Sequence, residues 1–304
     1  MARKTPLPRW LLSVADWIYA QIVLTLLRAI RLLPTRFAVN AGGALARTLG
    51  PVFPVSRVGL DNIRRAFPEK SEAECRRILK GVWDNLGRTA VEYAFLDRIF
   101  DFDFENPDAG HFDVDGIDLF LEIANSGRPS IIVTGHTGNW ELLPVCAATY
   151  GLQITVLFRP PNNAFLADKL DEVRGAVMGG LVPSRKGALV ALNGVMEKGG
   201  HVGLLVDQHF SRGKPITFFG RTARANPSFA KLARNHEANV YAARSIRLPE
   251  GRFRLELMGP LELERDESGK IAIEPAMQTV ANLIEGWVRE YPEQWLWLHR
   301  RWRG

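Results

Sequence analysis

The sequence predicts an α/β protein in which a mixed, mainly parallel sheet is flanked by helices and preceded by an N-terminal membrane-associated helical segment. Short apolar runs recur from about residue 130 onward, and helical stretches separate the first few of them, as in βαβ units. The amino end is apolar and has basic residues on both sides. We therefore expect a membrane-associated helix over residues 1–36 and a single α/β domain over residues 37–304.

The composition is that of a globular protein. Of the 304 residues, 46% are hydrophobic and 24% are charged, which argues against disorder. The net charge of +6 comes from basic residues that are mostly Arg, which fits an anionic partner but equally fits a solubilising surface. Cys75 and Cys146 are far apart and form no C-x-x-C pair, so we expect a reducing compartment and no disulfide.

The N-terminal stretch "PRWLLSVADWIYAQIVLTLLRAIRLLPTR" (8–36) reads as an interfacial helix. Its uncharged run, Trp17 to Leu27, is shorter than the roughly 20 apolar residues that a membrane-spanning helix needs. Trp and Arg residues at its ends favour a helix that lies at, or dips into, the membrane surface. The alternative is an ordinary core helix. A secretory signal is not indicated, because no small-residue cleavage site follows.

Residues 37–100 show helical periodicity. Ser71 and Glu74 have the spacing of a capping box, and apolar residues follow at helical intervals. The next stretch, "DRIFDFDFENPDAGHFDVDGIDLF" (97–120), alternates Phe with acidic residues, which predicts an edge strand followed by a turn.

Five later segments are short apolar runs typical of buried strands: "SIIVTG" (130–135), "ITVLFR" (154–159), "VGLLVD" (202–207), "VYAARSI" (240–246) and "FRLELMG" (253–259). Helical stretches such as "ALVALNGVMEKGG" and "PSFAKLARNHEA" lie between some of them. This alternation predicts a sheet that is parallel at first and mixed toward the end. Loops after the carboxyl ends of such strands are where sites form.

The stretch "VTGHTGNWELLP" (133–144) carries a candidate catalytic pair, His136 and Glu141. Residues five apart on one helix point about 140° apart, so the two can meet only if His136 lies in the loop before the helix. Gly135 and Gly138 would permit that fold-back. Glu141 would then hold one ring nitrogen and leave the other free to accept a proton. A purely structural hydrogen-bonded pair is the alternative.

The segment "GHTGNWE" (135–141) resembles the H-x4-D/E signature of the lysophospholipid acyltransferase superfamily. It is more similar to the lipid A biosynthesis branch, the lauroyl- and myristoyl-type late acyltransferases that add secondary acyl chains. Four further blocks carry the same likeness: "VLFRPPNN" (156–163), "VGLLVDQH" (202–209), "ITFFGRTARANPS" (216–228) and "YPEQWLWLHRRW" (291–302).

The resemblance implies that His136 is the general base for an acceptor hydroxyl and that Glu141 orients it. The hydroxyl would attack the thioester of an acyl carrier directly, and the sequence has no G-x-S-x-G nucleophile elbow. In the second block, Arg159 would hold a phosphate or stabilise the site, or else pair with an acidic neighbour. Asn162 lies in the same block and is a further candidate for substrate binding.

In the later blocks, the candidate substrate-binding residues are Asp207, Gln208, Phe219 and Gly220. We expect Asp207 to orient Arg159, although a loop-capping role is equally compatible. "FFG" (218–220) looks like an acyl-facing wall followed by a tight turn, or alternatively plain core. Arg185, with neighbouring basic residues, would contribute a basic floor for an acidic carrier protein and a phosphorylated lipid. For any one of these residues taken alone, a solvated surface charge is the favoured interpretation.

The implied function is transfer of a fatty acyl chain from acyl carrier protein to a hydroxyl of a phosphorylated, Kdo-bearing lipid A precursor. This would take place on the cytoplasmic side of the inner membrane, during lipopolysaccharide biosynthesis. No cofactor and no metal are expected, since "NHEAN" lacks the second His of a zinc helix. No nucleic-acid-binding module is evident. The alternatives are another lipid acceptor (lysophospholipid or glycolipid), or a non-catalytic lipid-binding membrane protein.

Overall fold

Helices form the first third of the chain. The computed structural model describes residues 9–161 and 163–302, and it begins with four helices: α1 (Arg9–Ile30), α2 (Thr35–Leu49), α3 (Val55–Ala66) and α4 (Glu72–Glu92). The predicted capping box at the start of α4 is present. The Ser71 hydroxyl accepts a hydrogen bond from the Glu74 amide, and the Glu74 carboxylate accepts one from the Ser71 amide.

Strands and helices alternate through the rest of the chain. In chain order they are β1 (Phe112–Asp115), α5 (Ile117–Asn125), β2 (Ser130–Thr134), α6 (Leu142–Thr149), β3 (Ile154–Phe158), α7 (Ala164–Val177), β4 (Leu181–Pro183), α8 (Ala188–Glu197), β5 (His201–Leu205), β6 (Lys214–Phe218), β7 (Arg221–Ala225), α9 (Ser228–His236), β8 (Asn239–Arg247), β9 (Phe253–Met258) and α10 (Ile273–Glu290). The five apolar runs identified in the sequence are all strands.

Seven of these strands form one sheet in the order β1-β9-β8-β2-β5-β3-β4. The neighbours from β8 to β4 are parallel, whereas β9 runs antiparallel to β8 and β1 lies parallel to β9 at the edge. The expectation of a mixed, mainly parallel sheet flanked by helices is confirmed. Three elements had no recognised signal in the sequence: β4, α7 and the separate β6-β7 hairpin.

The two faces of the sheet have different surroundings. Ile131 and Val133 of β2 point into a large core that includes residues of α8, α9 and α10 and the C-terminal Trp295. The alternate residue Ile132 points to the other face, where it packs with side chains of α5 and α6. Because successive strand residues face opposite sides, one strand serves both layers.

Close packing joins α2 to α4 through glycines. A Cβ on Gly87 would lie 2.4 Å from Cβ of Ala46 and 2.5 Å from the carbonyl oxygen of Gly42, so the two helix backbones approach where a side chain cannot fit. Other apolar side chains of the N-terminal helices are exposed: Trp17, Ile22, Leu26, Phe37, Leu45 and Leu49. Within the described ranges, none of the helices has the length and hydropathy that crossing a membrane requires.

We predict that Gly87→Ala destabilises the protein by about 1–3 kcal/mol, because its methyl group must displace α2 from α4. Gly194→Ala is the matched control. Gly194 also lies inside a helix, α8, but nothing lies within 4 Å of a Cβ built there. Its replacement should instead stabilise by up to about 1 kcal/mol, since the unfolded chain loses freedom. Urea unfolding measures the free energy of unfolding of both variants. Equal changes in Gly87→Ala and Gly194→Ala would contradict the packing argument.

Candidate active site

The candidate catalytic histidine lies in the loop that follows β2. We call residues 135–141 the catalytic loop. It turns sharply at Gly138, whose φ is +56°. A Cβ at Gly138 would lie 2.2 Å from the carbonyl oxygen of Ser245, so this turn admits only glycine without rearrangement. The turn holds His136 at the carboxyl edge of the sheet, as its position after a strand predicts.

The carboxylate that contacts His136 belongs to Asp207, in the loop after β5. Oδ1 of Asp207 lies 2.7 Å from Nδ1 of His136, and Oδ2 accepts a hydrogen bond of 2.7 Å from the His136 backbone amide. Trp295 donates its indole N–H to Oδ2 as well, at 2.7 Å. Burial alone would raise the pKa of Asp207, but the charge of His136 and these hydrogen bonds outweigh it and lower the pKa to about 2.

Glu141 contacts Arg174 and not His136, which was the partner we expected. It is the residue before α6, and its carboxylate binds Arg174 of α7, with Nη2 at 2.5 Å and Nε at 3.1 Å. Burial alone would lower the pKa of Arg174, but Glu141 more than offsets this and raises it. The expectation that Asp207 orients Arg159 is corrected too, because the Asp207 oxygens are engaged by His136 and Trp295. In both cases, residues distant in sequence supply the partner.

The second ring nitrogen of His136 lies toward Gln208. Nε2 of the imidazole is 3.1 Å from the amide nitrogen of Gln208. With Nδ1–H donated to Asp207, Nε2 carries a lone pair and accepts from that amide. The Trp140 ring packs edge-on against the imidazole, with ring centroids 4.9 Å apart. The ring is therefore held on one nitrogen and has an accepting lone pair on the other.

His136 belongs to the lining of a cavity of about 530 Å³. The cavity lies on the α5/α6 face of the sheet, and its walls are mainly apolar side chains, among them Phe120, Ile132, Leu143, Ile154, Val156 and Leu257. Polar residues of the loops at the strand ends line it as well, namely His136, Glu141, Arg159 and Gln208. Its shape and lining suit an apolar ligand whose reacting end meets His136.

The remaining predicted site residues are dispersed. Arg185 is exposed just after β4, outside the cavity lining. Phe219 is in the core on the opposite face of the sheet, where its ring lies 5.3 Å from that of Phe67, so it does not form an acyl-facing wall. Gly220 is exposed in the β6-β7 turn with φ of +65°. Asn162 lies outside the described residues.

The C-terminal segment supports the catalytic loop from behind, which the sequence did not reveal. The Gly138 amide donates to the Gln294 carbonyl at 3.0 Å, and the Leu296 amide donates to the His136 carbonyl at 3.1 Å. Arg301 is buried beside Asp207, and burial lowers its pKa to about 10, against the opposing effect of the Asp207 charge. The Trp- and Arg-rich segment that includes Trp295 and Arg301 therefore packs against both the catalytic loop and Asp207.

Cysteine chemistry does not fit the cavity. Cys146 lines it, but burial raises the pKa of its thiol to about 12. At neutral pH the side chain is therefore a thiol and not the thiolate that acts as a nucleophile. Among residues 9–161 and 163–302, no three His, Cys, Asp or Glu side chains group as metal ligands would.

One comparison with known proteins identifies a family. The family model described as "bacterial lipid A biosynthesis acyltransferase" matches residues 8–304, nearly the whole chain. A search of curated proteins gives no match.

We predict that Asp207→Asn changes how stability depends on pH. Because the folded-state pKa of Asp207 is below its ordinary value, the ionised carboxylate stabilises the fold above about pH 4, and this contribution is lost as pH falls toward 2. The wild-type advantage over Asp207→Asn should thus shrink by on the order of 2 kcal/mol between pH 5 and pH 2. Urea unfolding at several pH values tests this, with Asp108→Asn as the exposed control. Parallel pH profiles for wild type and Asp207→Asn would refute it.

Proposed function

Since the chain belongs to the bacterial lipid A biosynthesis acyltransferase family, we propose that it transfers a fatty acyl chain from acyl carrier protein to a hydroxyl of a Kdo-bearing lipid A precursor. One observation supports this above the others. His136 is held by Asp207 on Nδ1, and the same residue lines a mainly apolar cavity of about 530 Å³. A proton acceptor beside an apolar cavity is what transfer of an acyl chain to a hydroxyl requires.

In the proposed reaction, Nε2 of His136 removes the proton of the acceptor hydroxyl as its oxygen attacks the thioester carbonyl. The tetrahedral intermediate collapses with cleavage of the C–S bond, and the imidazolium returns the proton to the leaving thiolate. Asp207 fixes the tautomer through Nδ1 and stabilises the imidazolium, so the orienting role passes from Glu141 to Asp207. No covalent acyl-enzyme is needed.

Two further cavity residues have roles in this proposal. The amide nitrogen of Gln208 lies 3.1 Å from Nε2 of His136. In the proposed reaction the acceptor hydroxyl replaces it at Nε2, and the released amide is then close enough to donate to the developing oxyanion. Arg159 lines the same cavity, and its guanidinium suits a phosphate of the acceptor or of the donor's phosphopantetheine arm. Arg185 contributes to a basic exterior that an acidic carrier protein would contact.

We place the enzyme at the cytoplasmic face of the inner membrane, because its proposed acceptor is a membrane lipid. The exposed apolar side chains of α1 and α2, such as Trp17, Leu26 and Phe37, support contact with the bilayer surface. Asn163, at the start of α7, donates to the carbonyl of Asp16, so α1 adjoins an element of the cavity wall.

We predict that His136→Ala lowers kcat by at least ~10²-fold while the protein stays folded, because the general base is removed. Purified enzyme with acyl carrier protein thioester and radiolabelled Kdo-bearing precursor provides the assay, and circular dichroism checks the fold. His111→Ala is the control, since that exposed imidazole pairs with Asp101 and lies outside the cavity lining. Full turnover by His136→Ala would refute the mechanism and favour a non-catalytic, lipid-binding role.

The same assay separates the acceptors and the donors. Lysophosphatidic acid replaces the Kdo-bearing precursor in one arm, and acyl-CoA replaces the carrier-protein thioester in another. Acylation of lysophosphatidic acid alone would reject the lipid A acceptor, and turnover with acyl-CoA alone would reject the carrier-protein donor.

We predict that Gly203→Val shifts donor preference toward shorter acyl chains. Gly203 lies in β5 and lines the cavity, and a Cβ there would lie 3.0 Å from Val156 and 3.1 Å from Ile154, so valine must take cavity space. kcat/KM should fall more for a 14-carbon than for a 10-carbon donor. Val202→Ala, on the opposite face of the same strand, should leave the ratio of kcat/KM for the 14-carbon donor to kcat/KM for the 10-carbon donor unchanged. An unchanged ratio in Gly203→Val would show that the acyl chain lies elsewhere.

A further inference from the structure

A buried polar network lies behind the catalytic loop, on the side away from the apolar cavity. Asn85, Thr89 and Glu92 lie along one face of α4 and are all nearly inaccessible to solvent. The Asn85 amide donates to the Gly138 carbonyl at 3.0 Å, and the Thr89 hydroxyl donates to the same oxygen at 3.3 Å. Asn139 donates its side-chain amide to Oε2 of Glu92 at 2.9 Å. Helix α4 therefore holds two consecutive residues of the catalytic loop.

Arg247, at the end of β8, completes this network. Its guanidinium forms a bidentate ion pair with the Glu92 carboxylate and donates through Nε to Oδ1 of Asn85 at 2.9 Å. Gln294 exchanges two hydrogen bonds with the Arg247 backbone, of 2.7 and 2.8 Å. The ion pair thus joins α4, the sheet and the C-terminal segment at the point where each contacts the catalytic loop.

A buried ion pair is poor evidence for stability in general, because the desolvation of both charges offsets most of their attraction. The Glu92 side chain is only 2% exposed and that of Arg247 11%, so both carry that desolvation penalty. The contribution of the pair here is to fix the orientation of the Glu92 carboxylate. The Glu92 oxygen that accepts from Asn139 is fixed by the Arg247 fork, and Asn139 in turn accepts from the Glu141 amide at 3.2 Å.

We propose that Glu92 and Arg247 are positioning residues that set the catalytic loop, through Asn139, in the geometry that brings His136 to the cavity. The proposal rests on the acyl-transfer function proposed above. Neither residue touches the reacting atoms, since both lie on the far side of the loop and line a separate polar groove. Their effect is on the rate of the chemical step and not on substrate affinity, because misplacement of a catalytic group by about 1 Å costs up to ~10²-fold in rate.

A second ion pair on the same helix provides the comparison. Asp84 and Arg88 of α4 pair at 2.6 Å, and Arg88 also donates to Asn40 of α2. That pair joins α4 to α2, and none of its ion pairs or hydrogen bonds among the described residues involves the catalytic loop. Asp84→Asn/Arg88→Met therefore removes an ion pair of the same helix with no expected effect on loop geometry.

The test compares two double variants that differ in one hydrogen-bond acceptor. Glu92→Met/Arg247→Met replaces both charges by side chains of similar size, a change that buried ion pairs often tolerate in stability. Glu92→Gln/Arg247→Met also lacks both charges but keeps an amide oxygen for Asn139. For each variant and for Asp84→Asn/Arg88→Met, kcat and KM are measured with carrier-protein donor and lipid A precursor. Hydrogen exchange of residues 135–141 is followed in the absence of substrate.

We expect Glu92→Met/Arg247→Met to lower kcat at least ~10-fold with KM within about threefold of wild type, and to accelerate exchange in the catalytic loop. Glu92→Gln/Arg247→Met should recover most of the wild-type kcat and most of the protection of the loop from exchange. The control variant, Asp84→Asn/Arg88→Met, should resemble wild type in both measurements. Wild-type kcat and wild-type loop exchange in Glu92→Met/Arg247→Met would overturn the proposal. So would a kcat in Glu92→Gln/Arg247→Met as low as that of Glu92→Met/Arg247→Met.

Two further cases are covered by the design: a double variant that does not fold, and a wild-type enzyme that shows no acyl transfer. If Glu92→Met/Arg247→Met does not fold, Asn139→Ala decides, because it removes the link to the loop and leaves the ion pair intact. Wild-type kcat in Asn139→Ala would overturn the proposal. If wild-type enzyme shows no acyl transfer, the proposed function fails, while loop exchange in the same variants still tests whether the network positions the loop.

Discussion

The buried carboxylate of Asp207 is the interaction on which the rest of the site depends. It accepts hydrogen bonds from the backbone and ring of His136 and from the indole of Trp295, so it joins the ends of two strands to the C-terminal segment. A buried carboxylate is stable only when such donors are in place. His136 is therefore oriented by the same contacts that stabilise the ionised carboxylate of Asp207, and folding of the C-terminal segment is a condition for an ordered site.

Much of the fold follows from sequence patterns. The five apolar runs are strands, the capping box begins α4, and the change from parallel to antiparallel pairing comes late in the chain, as predicted. The placement of His136 in a loop at the sheet edge also follows, because Gly135 and Gly138 follow a buried strand. The hydrophobic period and the positions of glycines are local properties of the sequence. The strands and the loop position of His136 could be predicted because they depend mainly on such local properties.

The partners of the site residues do not follow from sequence in the same way. Glu141 lies five residues from His136 but pairs with Arg174 of α7, an element that no pattern indicated. Phe219 belongs to an apolar block, yet which face of the sheet it joins depends on the β6-β7 hairpin, and it packs beside Phe67 and Trp297. Glu92 reads as an ordinary helix residue until α4 is seen to pass behind the catalytic loop. Each of these contacts is set by tertiary packing.

Asp207 and Glu141 are the two carboxylates of the candidate site, and they differ in the groups that compensate their charges. Glu141 is engaged by the Arg174 guanidinium through two hydrogen bonds, so its charge is already compensated by a permanent cation. Asp207 has two neutral donors and the Nδ1 proton of His136, and the buried Arg301 lies beside it without an ion-pair contact of that kind. In the proposed mechanism, the imidazolium is therefore stabilised mainly by Asp207. Glu141 instead connects α7, whose Arg174 lines the cavity, to the catalytic loop. The two residues of the H-x4-E spacing thus have different partners, Asp207 for His136 and Arg174 of the cavity wall for Glu141.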